Sequence, residues 1–200
     1  MNLKDKRVLV TGGTGMIGSA LVEQLLSKEC KEIIIASNEE PKSYLPLNTN
    51  VLIDYRKVDL RDFVTCLEIT KNIDIVFNMV GVKGNPEMAQ RKPASFFVPM
   101  LQFNTNMLEA CRVNNVKWTL FTSSVGVYGH CELPEDTLWN HYPSKNDWFG
   151  GWAKRIGEMQ IEAYKIQYGL ENFSIVRPGN VFGPFDNFNP ETGMVIPSLI

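Results

Sequence analysis

A run of small residues, Thr11-Gly12-Gly13-Thr14-Gly15-Met16-Ile17-Gly18, stands between an apolar stretch and a segment of helical period. A loop that follows a buried strand and opens a helix aims backbone N–H groups at whatever lies above the strand, and the positive end of the helix dipole favours an anion there. Each glycine has its own part in such a loop. Gly12 permits the tight turn, Gly15 lets the backbone approach a phosphate, and Gly18 lets helix and strand pack closely. The implied ligand is a dinucleotide whose pyrophosphate is held by Gly12, Gly15, Met16, Ile17 and Gly18. An ordinary strand-to-helix turn also uses glycine, but the strand before and the helix after this loop meet the structural requirement of the motif. A ribose-binding residue is expected ~20 residues further on, and that neighbourhood reads Ala36-Ser37-Asn38-Glu39-Glu40. Neither Asp nor Arg holds the diagnostic place. Ser37 and Asn38 suit a 2′-phosphate, Glu39 suits a 2′-hydroxyl, and each is equally at home facing solvent. Further on, Val58-Asp59-Leu60 sets Asp59 to accept from an adenine amino group.

These residues need a frame to bring them together. Apolar runs of strand length are expected at Arg7 to Thr11, Glu32 to Ala36, Val51 to Asp54, Ile73 to Asn78, Lys117 to Ser123 and Phe173 to Arg177. They alternate with helical segments, Met16 to Lys28 with Ile17, Leu21, Leu25 and Leu26 on one stripe, Ala94 to Asn114, and Trp152 to Tyr168 with Ile156, Met159, Ala163 and Ile166 on one face. Strand and helix in alternation predict an α/β fold, a doubly wound parallel sheet covered by helices on both sides. After Arg177 the texture turns to Pro178, Gly179, Gly183, Pro184, Asn187, Asn189, Pro190 and Gly193, a loop-forming composition. The expected organisation is therefore a dinucleotide-binding domain over 1–177 and the start of a substrate-binding region over 178–200. Val181, Phe182, Val195 and Ile196 in that second part are expected to leave apolar surface open.

Lys and Arg number 20 against 22 Asp and Glu, a net charge of -2 with no basic face to collect nucleic acid or an anionic membrane. No apolar run approaches the ~20 residues of a membrane span, and Met1 leads into a charged stretch unlike a signal peptide. The cysteines Cys30, Cys66, Cys111 and Cys131 are widely spaced, with no C-x-x-C pair and no histidine at a ligand spacing, so reduced thiols, no metal and a cytoplasmic location are expected.

Several segments, in order, resemble the extended short-chain dehydrogenase/reductase family over essentially the whole chain: Thr11 to Gly18 with G-x-x-G-x-x-G spacing, Asn78-Met79-Val80-Gly81, Asn106 to Cys111, and Phe121-Thr-Ser-Ser-Val-Gly-Val-Tyr-Gly129. Arg177 to Pro190, continued by Val195-Ile-Pro197, is similar to the GDP-fucose synthase-like branch of nucleotide-sugar epimerases and reductases. The resemblance implies a Rossmann fold and NADP or NAD as cofactor, NADP favoured. It implies Met79, Val80, Gly81 and Thr122 along the nicotinamide ribose, and Pro178, Asn180 and Val181 closing on the cofactor. Asn180, Asn187 and Val195 are then placed toward a nucleotide-sugar substrate, with GDP-sugars favoured, and a homodimer would form through the two long helices.

The same resemblance assigns chemistry. Hydride exchange at a sugar carbon needs a donor to the sugar oxygen, a proton carrier matched to neutral pH and a cation to tune it. The family uses Ser or Thr, Tyr, and a Lys four residues after the Tyr; here the Ser is Ser124 and the Lys is Lys154, which also bonds the nicotinamide ribose. The Tyr is replaced by Gly150, and Met194 stands where the related epimerases place a histidine. Three outcomes follow: another carrier drawn from Tyr142, His141, His130 or Tyr128, an inactivated enzyme, or a dinucleotide or nucleotide-sugar binding module without turnover. Trp148, Phe149 and Trp152 suit either stacking on a sugar or base, or packing.

Overall fold

The structure, a computed structural model, describes residues 2–39, 51–82, 84–129 and 135–200. Six strands, β1 (Arg7–Thr11), β2 (Glu32–Ser37), β3 (Leu52–Lys57), β4 (Ile75–Asn78), β5 (Trp118–Thr122) and β6 (Phe173–Val176), pair in parallel in the order β3-β2-β1-β4-β5-β6. The doubly wound α/β expectation is met. Unbroken β-branched runs such as Ile33-Ile34-Ile35 suit strands buried on both faces, and all three isoleucines are fully buried, each contributing about 1.5–3 kcal/mol.

Alternation along the strands sorts the core into two layers. Leu9, Ile34 and Val76 pack with Cys66 and Ile69 of helix α2 (Phe63–Thr70) and with Phe96, Phe103 and Met107 of helix α4 (Pro93–Val113). Val8, Val10, Ile33, Ile35, Ile75 and Phe77 pack on the other face with Val22 and Leu25 of helix α1 (Met16–Leu25). A short helix α3 (Pro86–Arg91) precedes α4, α5 (Trp148–Tyr168) packs Ile161 and Tyr164 against Leu108 and Phe121, and α6 (Val195–Ser198) ends the chain. Strand order reverses between β1 and β4, which opens a crevice at the carboxyl ends of these strands.

The expected bounds hold within three residues for every strand, β1 to the residue. Met16 to Lys28 resolves into α1 and a 3-10 turn, Leu26–Lys28. The short helices α2 and α3 are additional to those expected; their signals are caps, Asp62 accepting from the Val64 and Thr65 amides and Asn85 from that of Met88, with Pro86 as the first residue of α3.

Two expectations need correction. Helix α5 starts at Trp148, not Trp152, so Gly150 and Gly151 lie in its first turn. Its inward face is also not the apolar stripe: Ile156, Met159, Ala163 and Ile166 are exposed, and Ala153, Lys154, Arg155, Gly157, Glu158, Ile161 and Tyr164 are buried. The reason is close approach with paired charges. A Cβ on Gly157 would lie 2.5 Å from the Phe121 ring, and the buried charges find partners, Arg155 donating to Val127 O at 2.9 Å and Glu158 accepting from Arg177 at 2.8 Å. Val181, Phe182, Val195 and Ile196 are all exposed, as expected.

Candidate active site

The glycine loop is held against the end of β4. Gly12 has φ +67°, and a Cβ there would stand 3.0 Å from the Met79 carbonyl oxygen, so the turn requires glycine both conformationally and sterically. Gly18 is stricter: a Cβ would lie 2.2 Å from the Gly12 carbonyl oxygen, which is how closely α1 packs on the loop. Gly15 caps α1 without a side-chain hydrogen bond, and no acidic residue stands in the first turn. The amides of Met16, Ile17 and Gly18 therefore meet the cleft with no side-chain acceptor, the arrangement that receives a phosphate.

A cleft of about 580 Å³ opens above these amides. Its walls bring together Gly12, Gly15, Met16, Ile17, Gly18, Ser37, Asn38, Asp59, Leu60, Met79, Val80 and Gly81, the whole set expected to hold the cofactor from the β1, β2, β3 and β4 ends. Both the volume and the donor set fit a dinucleotide. Ser37 is buried and shares a 2.8 Å hydrogen bond with Thr14, tying the β2 end to the loop, and its oxygen accepts from the Glu39 amide. Asp59 forms a two-pronged pair with Arg61 at 2.6 and 2.9 Å, and the guanidinium holds its carboxyl below the usual carboxylate range. Arg61 lines the cleft too, and sequence reasoning missed it. It also missed the wall made by Val82 and by Ser95, Pro99 and Phe103, which α4 contributes.

The cleft's β4 end adjoins a second cluster. Thr122, at the end of β5, donates to the Met79 sulfur at 2.9 Å. Two residues on, Ser124 caps the 3-10 turn Val125–Val127, its oxygen accepting from the Gly126 amide at 3.0 Å. Lys154 is buried in the first turns of α5, its ammonium 5.2 Å from the Phe121 ring centroid, and burial pulls its pKa down to about 8 while Asp147 opposes the shift. Pro178 accepts from the Val125 amide at 2.9 Å, which anchors the chain leaving β6 beside this turn. Asn180, Val181, Asn187 and Val195 lie further along that chain, exposed and outside the cleft.

The profile of the NAD dependent epimerase/dehydratase family matches residues 8–200. The chain belongs to that family. A GDP-L-fucose synthase of Escherichia coli is 30% identical over 99% of this chain and 58% of its own length. Among solved structures, a UDP-N-acetylglucosamine 4-epimerase from Methanobrevibacter ruminantium, in complex with UDP-N-acetylmuramic acid, superposes with a TM-score of 0.80 at 30% identity, over 97% of this chain and 61% of that one. A GDP-L-fucose synthetase from Naegleria fowleri bound to NADP gives a TM-score of 0.73 at 28% identity, over 98% and 60%. The chain thus spans less than two thirds of these relatives.

At position 150 of this epimerase/dehydratase family member, where the resemblance expects the Tyr, stands glycine. The four residues weighed as substitutes are placed as follows. Tyr128 is buried beneath the Arg177 guanidinium, which donates to its hydroxyl at 2.6 Å and in turn forks onto Glu158, itself bonded to Ser123; that network is structural. Tyr142 is 71% exposed and stacks loosely on Trp148 and Trp152, which gives those tryptophans a packing partner. His141 is exposed, and His130 lies outside the described residues. The space beside Gly150 is nonetheless filled. A Cβ on Gly150 would lie 2.2 Å from Oδ1 of Asp147, and one on Gly126 would lie 2.3 Å from its Oδ2. Both absent side chains make room for one carboxyl group, which sequence reasoning did not single out.

Proposed function

We propose that this chain is the cofactor-binding part of an NADP-dependent enzyme that epimerises or reduces a nucleotide sugar, with GDP-sugars as its substrates. The observation that carries this reading is continuity: the amides at the α1 N-terminus, the Met79–Gly81 wall, the Thr122–Ser124 strand end and buried Lys154 follow one another along the carboxyl edge of the sheet. The bound nicotinamide supplies or withdraws hydride at a sugar carbon. The backbone amides neutralise the pyrophosphate. Ser124 accepts from Gly126 and keeps its own O–H to donate to the sugar oxygen. Lys154 reaches the nicotinamide ribose, and with its pKa near 8 it exchanges protons at neutral pH.

NADP is preferred over NAD because Asn38 and Arg61 line the cleft where a 2′-phosphate would sit. The segment 178–200 begins the sugar site after a dinucleotide domain over 1–177, with Pro178, Asn180 and Val181 facing the cofactor and Asn187 and Val195 the sugar. The exposed stripe of α5 serves a homodimer, and the reduced thiols a cytoplasmic setting.

A binding module without turnover is the second reading, favoured by one observation, the glycine at position 150. The two are separated by titrating the complete natural protein with NADP and assaying it with a GDP-linked keto sugar and reduced cofactor. Binding with turnover supports the enzyme, binding alone supports the module, and absence of binding overturns both.

A further inference from the structure

We propose that Asp147 is the proton carrier of this site, its carboxyl acting in place of the aromatic hydroxyl that Gly150 lacks. The proposal rests on the enzymatic reading above. Its basis is the three-way fit of residues 126, 147 and 150. Asp147 ends a 3-10 turn, Lys145–Asp147, directly before α5, and its backbone amide is fixed on the Ser144 carbonyl oxygen at 3.1 Å. That places the carboxyl between the backbones of Gly126 and Gly150, where a Cβ on either residue would collide with it at 2.2–2.3 Å. Gly126 donates to Ser124, so the carboxyl and the hydroxyl expected to meet the sugar oxygen flank one residue. Asp147 as a residue keeps a side open to solvent, and its carboxyl has no side-chain hydrogen bond to the α5 terminus that it precedes.

The charged surroundings suit an acid that is protonated and deprotonated in turn. The Val125–Val127 turn brings no ionisable group, α3 brings Glu87 and Arg91, which pair with each other at 2.8 Å on the surface, and the carboxyl's own turn brings exposed Lys145. Helix α5 brings Lys154, whose charge reaches the carboxyl. Desolvation of its carboxyl raises the Asp147 pKa above the ordinary carboxylate value, against the pull of Lys154, while burial lowers that of Lys154 to about 8. The two shifts thus bring the proton affinities of the two groups closer together, which suits an acid that must give up and regain its proton.

In the reducing direction the carboxyl O–H bond breaks and an O–H bond forms on the sugar oxygen, directly or through one water. The two electrons that convert the carbonyl to an alcohol come from a reduced nicotinamide dinucleotide. The carboxylate left behind is balanced by the Lys154 ammonium and reprotonated from its solvent side. Epimerisation runs the same transfer in both directions.

The test uses the complete protein as wild type, Asp147→Asn and the double variant Asp147→Ala with Gly150→Tyr. The first readout is independent of turnover: side-chain NMR of Lys154 against pH. Removing the negative charge in Asp147→Asn moves the Lys154 titration to lower pH, and a titration that stays put overturns the proposal. The second is turnover of a GDP-linked keto sugar with reduced cofactor. Asp147→Asn lowers kcat by roughly 10²–10⁴-fold, the range for such groups, with KM within about threefold, and the pH profile loses the fall in rate with rising pH that deprotonation of the acid causes. The double variant regains rate because a phenol enters the vacated space. Wild-type rate in Asp147→Asn overturns the proposal alone. A wild type that binds cofactor and turns over no nucleotide sugar overturns the enzymatic reading and the proposal with it.

Discussion

Replacing Gly18 by alanine tests how α1 is seated. The added Cβ would stand 2.2 Å from the Gly12 carbonyl oxygen, 2.8 Å from Gly13 Cα and 2.9 Å from the Gly12 carbonyl carbon. All three are backbone atoms, so no rotamer change relieves the overlap. Comfortable carbon contacts lie near ~3.5 Å, which requires the first turn of α1 to retreat from the loop by about 1 Å. Overpacking of this kind costs ~1–3 kcal/mol, and at ~2–4 °C per kcal/mol for a chain of this size a 2 kcal/mol loss lowers Tm by roughly 4–8 °C. The same retreat moves the Met16, Ile17 and Gly18 amides off the phosphates. Losing one hydrogen bond to a charged group, ~1.5–3 kcal/mol, weakens NADP binding at least about tenfold. Calorimetric unfolding and a binding titration measure both effects. Gly179→Ala is the control, since that glycine lies outside the cleft and its Cβ would meet nothing within 4 Å. If Gly18→Ala matches wild type in Tm and in affinity, α1 is not packed on the loop as described.

Three further outcomes are expected. Because burial lowers the Lys154 pKa from 10.5 to about 8, the unfolded chain holds more protons than the folded one between those values; the buried charge therefore costs up to about 3 kcal/mol below pH 8, and the cost is relieved as pH rises to 10.5. Lys154→Met should accordingly exceed wild type in stability at pH 7 and lose that advantage by pH 10.5 in urea denaturation, and a gap constant with pH would contradict this. Glu158 accepts both prongs of Arg177 while only 3% of its side chain is exposed, so Glu158→Gln removes the anionic partner of the guanidinium and should cost ~3–5 kcal/mol; a loss below about 1 kcal/mol in the same assay would show the pair to be incidental. Arg61→Ala should weaken NADP more than NAD in parallel titrations, and equal losses would remove Arg61 from cofactor selection.

Much of the fold was legible because every strand but β3 is a short, mainly apolar run and each glycine in the loop has a steric reason to be glycine. Part of the cofactor wall was readable for the same cause: strand ends in a doubly wound sheet share one edge, so Ser37 and Asp59 could be placed from the strands they follow, while Met79 came from the family resemblance. Periodicity failed on α5. Its buried face is built from Lys154, Arg155, Gly157 and Glu158, whose burial depends on partners at Val127, Phe121 and Arg177 that no local window contains. The outward stripe of Ile156, Met159 and Ile166 is the more hydrophobic one and misled the reading. Helices α2 and α3, at eight and six residues, are too short to show a period, and only their caps mark them.

The missing tyrosine shows a different limit. Along the chain Gly150 reads only as an absence, because the resemblance expects a proton-moving side chain there and glycine has none. In space the same glycine is half of a socket, and Gly126 is the other half. Neither glycine has meaning without Asp147, and Asp147 stands at the cap of a helix whose start the sequence misplaced by four residues. A lone Gly150→Tyr change would therefore not simply return the family's chemistry, since its Cβ arrives 2.2 Å from Oδ1 of Asp147 and must first displace that carboxyl. The two groups compete for one volume beside Lys154. Such exclusivity is expected if one proton carrier has been exchanged for another, and it is why position 150 can be tested only together with position 147.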